Sequence, residues 1–151
     1  MKIQSKEEIN DDQSLIVKVV LSDEELPKIH DSSEEIISKV KKTENLQNLA
    51  DRIRERLKAG RGYCLVEGLQ FEKLEATQNL LNDYIVGISN LLGTPTQTDK
   101  KGGRVVWPIK VDFEATGDNL TYSQHRGAAD LHTDTQYFPE PEEVIALWCL
   151  R

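Results

Sequence analysis

The chain has 151 residues, 38 % of them apolar and 30 % charged, with a net charge of −7. That length suffices for one domain with a sizeable core. The acidic balance argues against a nucleic-acid ligand, which needs clustered Lys and Arg, and no apolar run is long enough to span a membrane.

The first 13 residues, "MKIQSKEEINDDQ", are polar and acidic. They lack the apolar centre of a signal peptide and read as a flexible tail, with a single domain over 14–151. "SLIVKVVL", Ser14 to Leu21, is rich in β-branched residues and predicts a strand. Asp31-Ser32-Ser33-Glu34-Glu35 offers an N-cap and an acidic first turn for a helix over Glu34 to Lys42. His30, just before it, reads as an exposed loop residue.

Leu46, Leu49, Ile53 and Leu57 recur at helical spacing and predict a second helix over Leu46 to Lys58. Gly60 and Gly62 stop it. "YCLVEGL" then reads as a short buried strand closed by Gly68. The most periodic stretch predicts a third helix over Glu72 to Leu92, with Leu74, Leu81, Tyr84, Ile85 and Ile88 on one face, ended by Gly93 and Pro95. From Thr94 onward the helical period disappears. "RVVWPIKV", "NLTYSQH", "ADLHTD" and "EVIALWCL" are short strand-like runs between Gly, Asp, Asn and Pro. Lys100-Lys101-Gly102-Gly103-Arg104 reads as a basic surface turn. Helices mostly preceding strands give an α+β class. Cys64 and Cys149 both sit in apolar runs and read as buried free thiols of a cytoplasmic protein.

His132 and Asp134 carry the chemistry. Two residues apart on a strand, they point to the same face, so an imidazole nitrogen and a carboxylate oxygen converge on one point. That donor pair suits Fe(II), and a third, distant His would complete a facial triad with open positions. The tripeptide alone is weak evidence, since His-x-Asp also describes an ordinary polar strand end.

The context is more specific. "LHTDTQYFPEPEEVIALWCLR" places an aromatic residue (Tyr137), a Pro-rich turn (Pro139, Pro141) and an apolar run through Val144 and Leu147 to Cys149 and Arg151 after the His-x-Asp pair. This segment resembles the iron-binding region of the Fe(II)/2-oxoglutarate-dependent dioxygenases of the taurine dioxygenase (TauD/TfdA-like, clavaminate synthase-like) superfamily. "LKAGRGYCLVEGL" and "LLGTPTQT" are similar to that family's early strand and to the end of its next helix, so the likeness covers about residues 46–151.

The resemblance implies N-terminal helices plus part of a double-stranded β-helix (jelly-roll) core. It implies His132 and Asp134 as iron ligands, 2-oxoglutarate as co-substrate, and hydroxylation of a small-molecule C–H bond. Tyr122, Gln124, Arg126 and Tyr137 become candidates for the substrate mouth, with Ser123 beside them. Trp107 reads better as a half-buried sheet residue, His125 as a polar residue near the mouth, and Glu140, Glu142 and Glu143 as a solvated turn. The family pattern also needs a distal His and an Arg that grips the 2-oxoglutarate carboxylate, and no His follows His132. The expectation is therefore a truncated or split dioxygenase chain. The alternative is a non-catalytic half-domain that binds a partner chain, with weak or no metal binding. A triad shared across a dimer ranks last. In each case residues 144–150 form an apolar strand edge that a homo-oligomer or a complementing chain should cover.

Overall fold

The computed structural model describes residues 15–74, 78–97, 103–109 and 142–149. The described residues fall into two compact units, one reaching Pro95 and the other running from Thr96 to Cys149. The tail expected over residues 1–13 and the strand-like runs "NLTYSQH" and "ADLHTD" lie outside the described residues.

The first unit mixes helix and sheet in the order β1 (Ile16–Lys18), α1 (Ser33–Lys42), α2 (Glu44–Ala59), β2 (Leu65–Glu67), a 3₁₀ turn (Phe71–Lys73) and α3 (Gln78–Leu92). Strand β1 is shorter than the stretch Ser14 to Leu21, but the alternation reaches past it. Leu15, Val17, Val19 and Leu21 are buried while Lys18 and Val20 face out. Period-two burial of this kind marks a sheet with one face on a core.

β1 and β2 pair in parallel, with Ile16 opposite Leu65, Val17 opposite Val66 and Lys18 opposite Glu67. Helices α1 and α2 make the crossover that parallel strands require. The pairing continues one bond further, where the Val19 N–H donates to the Glu67 carbonyl at 3.0 Å. Gly68 follows with φ +95°, and a Cβ there would lie 2.0 Å from the Val19 carbonyl oxygen. Only glycine lets the chain leave β2 so close to β1.

Helix α1 begins as its sequence predicts. The Glu35 N–H donates to Ser32 Oγ at 3.4 Å, and Glu35 Oε2 accepts from the Ser32 N–H at 2.8 Å. This capping box satisfies two of the N–H groups a helix start leaves without partners. Thr43 alone joins α1 to α2. Its N–H and its Oγ1 both donate to the Lys39 carbonyl, closing α1, and its own carbonyl accepts from the Leu46 and Gln47 N–H groups, opening α2.

The core packs the inner sides of α1, α2 and α3 together. Ile36, Val40, Leu46, Leu49, Leu81, Tyr84, Ile85 and Ile88 are all buried. Gly87 lets α3 approach α1, since a Cβ there would sit 3.1 Å from Val40 Cβ and Cγ2. Ser33 Oγ donates to Asp83 Oδ2 at 2.6 Å across the same two helices. The Arg54 guanidinium donates to the Leu91 carbonyl and so ties α2 to the end of α3.

Several expectations need correcting. The third helix does not run from Glu72. Phe71–Lys73 is a 3₁₀ turn entered through Gln70 at φ +55°, and α3 is Gln78–Leu92. Leu74 is buried as its period demands, yet it sits in a turn and not in the helix. Strand β2 is not a buried strand. Leu65 and Glu67 are exposed and Val66 is half-buried, because the helices cover only one face of the sheet. The described residues of "RVVWPIKV" and "EVIALWCL" contain no strand, and Trp107 is exposed. An apolar run becomes a strand only where a neighbour completes its ladder. Both cysteines are free, but Cys64 is half-buried and Cys149 exposed.

Candidate functional site

His132 and Asp134 lie outside the described residues, as do Tyr122, Gln124, Arg126 and Tyr137. The described segments on either side of them, 103–109 and 142–149, both belong to the second unit. On the upstream side Gly103 turns at φ +64° beside the Gln97 amide. The Arg104 guanidinium carbon then lies 6.0 Å from the centre of the Trp107 ring, within cation–π range. On the downstream side Val144, Ile145 and Leu147 are 49 %, 57 % and 76 % exposed. Three neighbouring apolar side chains in water are a surface that gains by being covered.

The first unit has chemistry of its own to weigh. An open cleft of about 720 Å³ lies along α1, lined in part by Glu24, Asp31, Glu34, Glu35, Lys28 and Lys39. Its best-placed carboxylates are already engaged in turns and caps. Asp31 Oδ2 accepts from the Lys28 N–H at 2.8 Å. The Ser32 N–H beside Glu35 holds that carboxyl below the usual carboxylate range. A cleft of alternating charges whose carboxylates close local turns is a solvated surface. Among the described residues no group of three His, Cys, Asp or Glu side chains could hold a metal ion.

Burial pushes the Cys64 thiol up, against a smaller opposing pull from Arg56. The thiol therefore stays protonated at neutral pH and is a poor nucleophile. Tyr84 is fully buried in α3, and its ring meets Phe71 edge-on at 6.1 Å. Burial first, and the Glu25 carboxylate second, push its phenol up from the ordinary value. Among the described residues its hydroxyl has no hydrogen-bond partner. In the sequence Tyr84 was visible only as one member of an apolar stripe, since period shows that a position is buried but not whether a hydroxyl there finds a partner.

Among the described residues, no helix is long and apolar enough to cross a membrane. No family model, no curated protein and no solved structure matches the chain.

Proposed function

We propose that this chain belongs to an Fe(II)/2-oxoglutarate-dependent oxygenase that hydroxylates a C–H bond of a small molecule. The carrying observation is "LHTDTQYFPEPEEVIALWCLR", in which His132 and Asp134 stand two residues apart before an aromatic residue, a Pro-Glu-Pro turn and an apolar run ending in Cys149 and Arg151. On a strand of a double-stranded β-helix, imidazole and carboxylate would share one face and donate to one ion. The donor chemistry suits Fe(II), a borderline cation that accepts both nitrogen and hard oxygen ligands. Bound there, iron and 2-oxoglutarate would supply the oxidising chemistry, while the protein fixes the ligands and orients the substrate. Tyr122, Gln124, Arg126 and Tyr137 would line the mouth and select the substrate. The remaining His ligand, and the Arg that pairs with the co-substrate carboxylate, would come from outside these 151 residues. The mixed helix-and-sheet frame, with helices on one face of parallel strands, is compatible with the helical layer such a fold requires.

A second reading is a non-catalytic module that binds a partner chain. The exposure of Val144, Ile145 and Leu147 favours it. In that reading a second copy or a complementing polypeptide covers residues 144–150, and His132 and Asp134 bind metal weakly or not at all.

One experiment separates the two. Fe(II) and 2-oxoglutarate are added to the chain without oxygen, and the visible charge-transfer absorption of the chelate is recorded. Oxygen is then admitted and succinate measured. If these residues suffice for the chemistry, the band appears, and His132→Ala and Asp134→Ala each remove it. A chain giving neither band nor succinate overturns the self-sufficient oxygenase and leaves a chain that needs a complement, or the binding module.

A further inference from the structure

The β1–β2 sheet has two faces of different fate. Val17 and Val19 point inward to the helices and are buried. The opposite face carries Ile16 and Leu65 side by side, then Lys18 and Glu67 side by side, then Val20. Lys18 Nζ and Glu67 Oε2 are 3.1 Å apart, which confirms that these side chains share the outer face. Val20 is 84 % exposed and Leu65 45 %, and Tyr63, two residues before Leu65, is 43 % exposed. An apolar sheet face bisected by one ion pair is left open to water.

The pattern on this face is self-complementary. A two-fold axis parallel to the strands, passing between β1 and β2, turns the face over and exchanges the two strands. It lays β1 of one copy over β2 of the other at the same height. Lys18 then meets the partner's Glu67, Glu67 meets the partner's Lys18, and Ile16 meets the partner's Leu65. The match follows because the paired residues stand level in the register and a two-fold axis parallel to the strands preserves their height. Such a two-fold contact is isologous and closes at two copies. Aligned sheets that pack face to face cross at about 30° and interleave their side chains in the same way.

We infer that the outer face of the β1–β2 sheet is a homodimer interface, with a second copy of this chain as its occupant and a Lys18–Glu67 quartet at its centre. This surface differs from the apolar run at 144–150 and does not depend on the oxygenase reading. Two strands a few residues long present much less than the roughly 800 Å² per partner of a stable complex. The dimer is accordingly weak, with a dissociation constant on the order of 10⁻⁴ M. Charge pairs across it set register and partner choice more than strength.

Charge reversal tests this directly. Lys18→Glu places two carboxylates on each outer face, and Glu67→Lys places two ammonium groups there. Each variant alone should stay monomeric in sedimentation equilibrium at concentrations where the unaltered chain is partly dimeric. Mixing the two variants should restore a 1:1 heterodimer, because one all-acidic face then meets one all-basic face. The doubly exchanged chain, Lys18→Glu with Glu67→Lys, should dimerise like the parent. Circular dichroism of each variant checks that the fold is retained. A purely internal role for the Lys18–Glu67 pair predicts no rescue on mixing, since each variant keeps its own mismatch. A parent chain that is monomeric up to millimolar concentration, or a dimer unaffected by either single reversal, overturns the inference.

Discussion

The two units of this chain put apolar residues to opposite uses. Up to Pro95, large aliphatic side chains are mostly buried between three helices and one face of a sheet, and caps, turns and a one-residue joint leave little slack. In the described part of the second unit, Trp107, Ile109, Val144, Ile145 and Leu147 stand in water and no strand forms. Composition alone does not separate the two, since "EVIALWCL" is as apolar as "SLIVKVVL". Neighbours separate them. Val17 has a paired strand and helices against it, whereas Ile145 has no ladder among the described residues. Stability should therefore be concentrated in the first unit, and the segments flanking His132 and Asp134 should contribute little of it.

The sharpest way to break this comparison is at the strand exit. Gly68→Ala forces a Cβ to 2.0 Å from the Val19 carbonyl oxygen and adds a strained φ. It should cost more than about 3 kcal/mol in urea denaturation, because β1 and β2 cannot pair without moving apart. A smaller effect comes from matched deletions in the two units. Leu81→Ala empties a fully buried site in α3 and should cost about 2–5 kcal/mol, while Leu147→Ala at an exposed site should stay within about 0.5 kcal/mol. Equal losses would show that residues 142–149 are part of a core.

The smallest expected effect has the opposite sign. Tyr84→Phe removes a buried hydroxyl that has no partner among the described residues and should stabilise the chain by about 1 kcal/mol. It should also flatten the alkaline limb of stability against pH. The phenol's folded pKa is raised, so below the unfolded tyrosine value of about 10 the shift has no effect. Above that value the unfolded chain releases a proton that the fold retains, and stability falls. A Tyr84→Phe chain that loses stability between pH 10 and 11 as steeply as the parent would mean that other groups carry the alkaline limb.

What could be read beforehand follows the range of the interactions involved. Helices α1 and α2 were legible because Ser32, Glu35, Leu46, Leu49 and Ile53 act within a turn or two of themselves. The start of α3 was misplaced because Leu74 keeps the helical period while Gln70 turns the backbone left-handed just before it. Burial of β2 was overestimated since an apolar run does not say how many of its faces will be covered. The parallel pairing itself is a meeting of residues far apart in sequence, and no local pattern announces it. For the proposed site, the sequence offers His132 and Asp134 only as a motif, which lies outside the described residues. Alternation relates the two residues only to each other, and further ligands of a metal centre would come from distant parts of a fold, which local pattern does not reach.

The two-helix crossover also has a consequence in time. Before Ile16 can meet Leu65, the whole of α1, Thr43 and α2 must have been laid down. Closing a long loop costs little more than closing a medium one, about 0.6 kcal/mol per doubling, but it is a search that local helices do not face. On a ribosome, β1 emerges early and waits as an unpaired, β-branched segment until Leu65, Val66 and Glu67 follow. The helices between are the clamp that brings its partner back, so the sheet cannot close before β2 is made, and that delay leaves an apolar strand exposed.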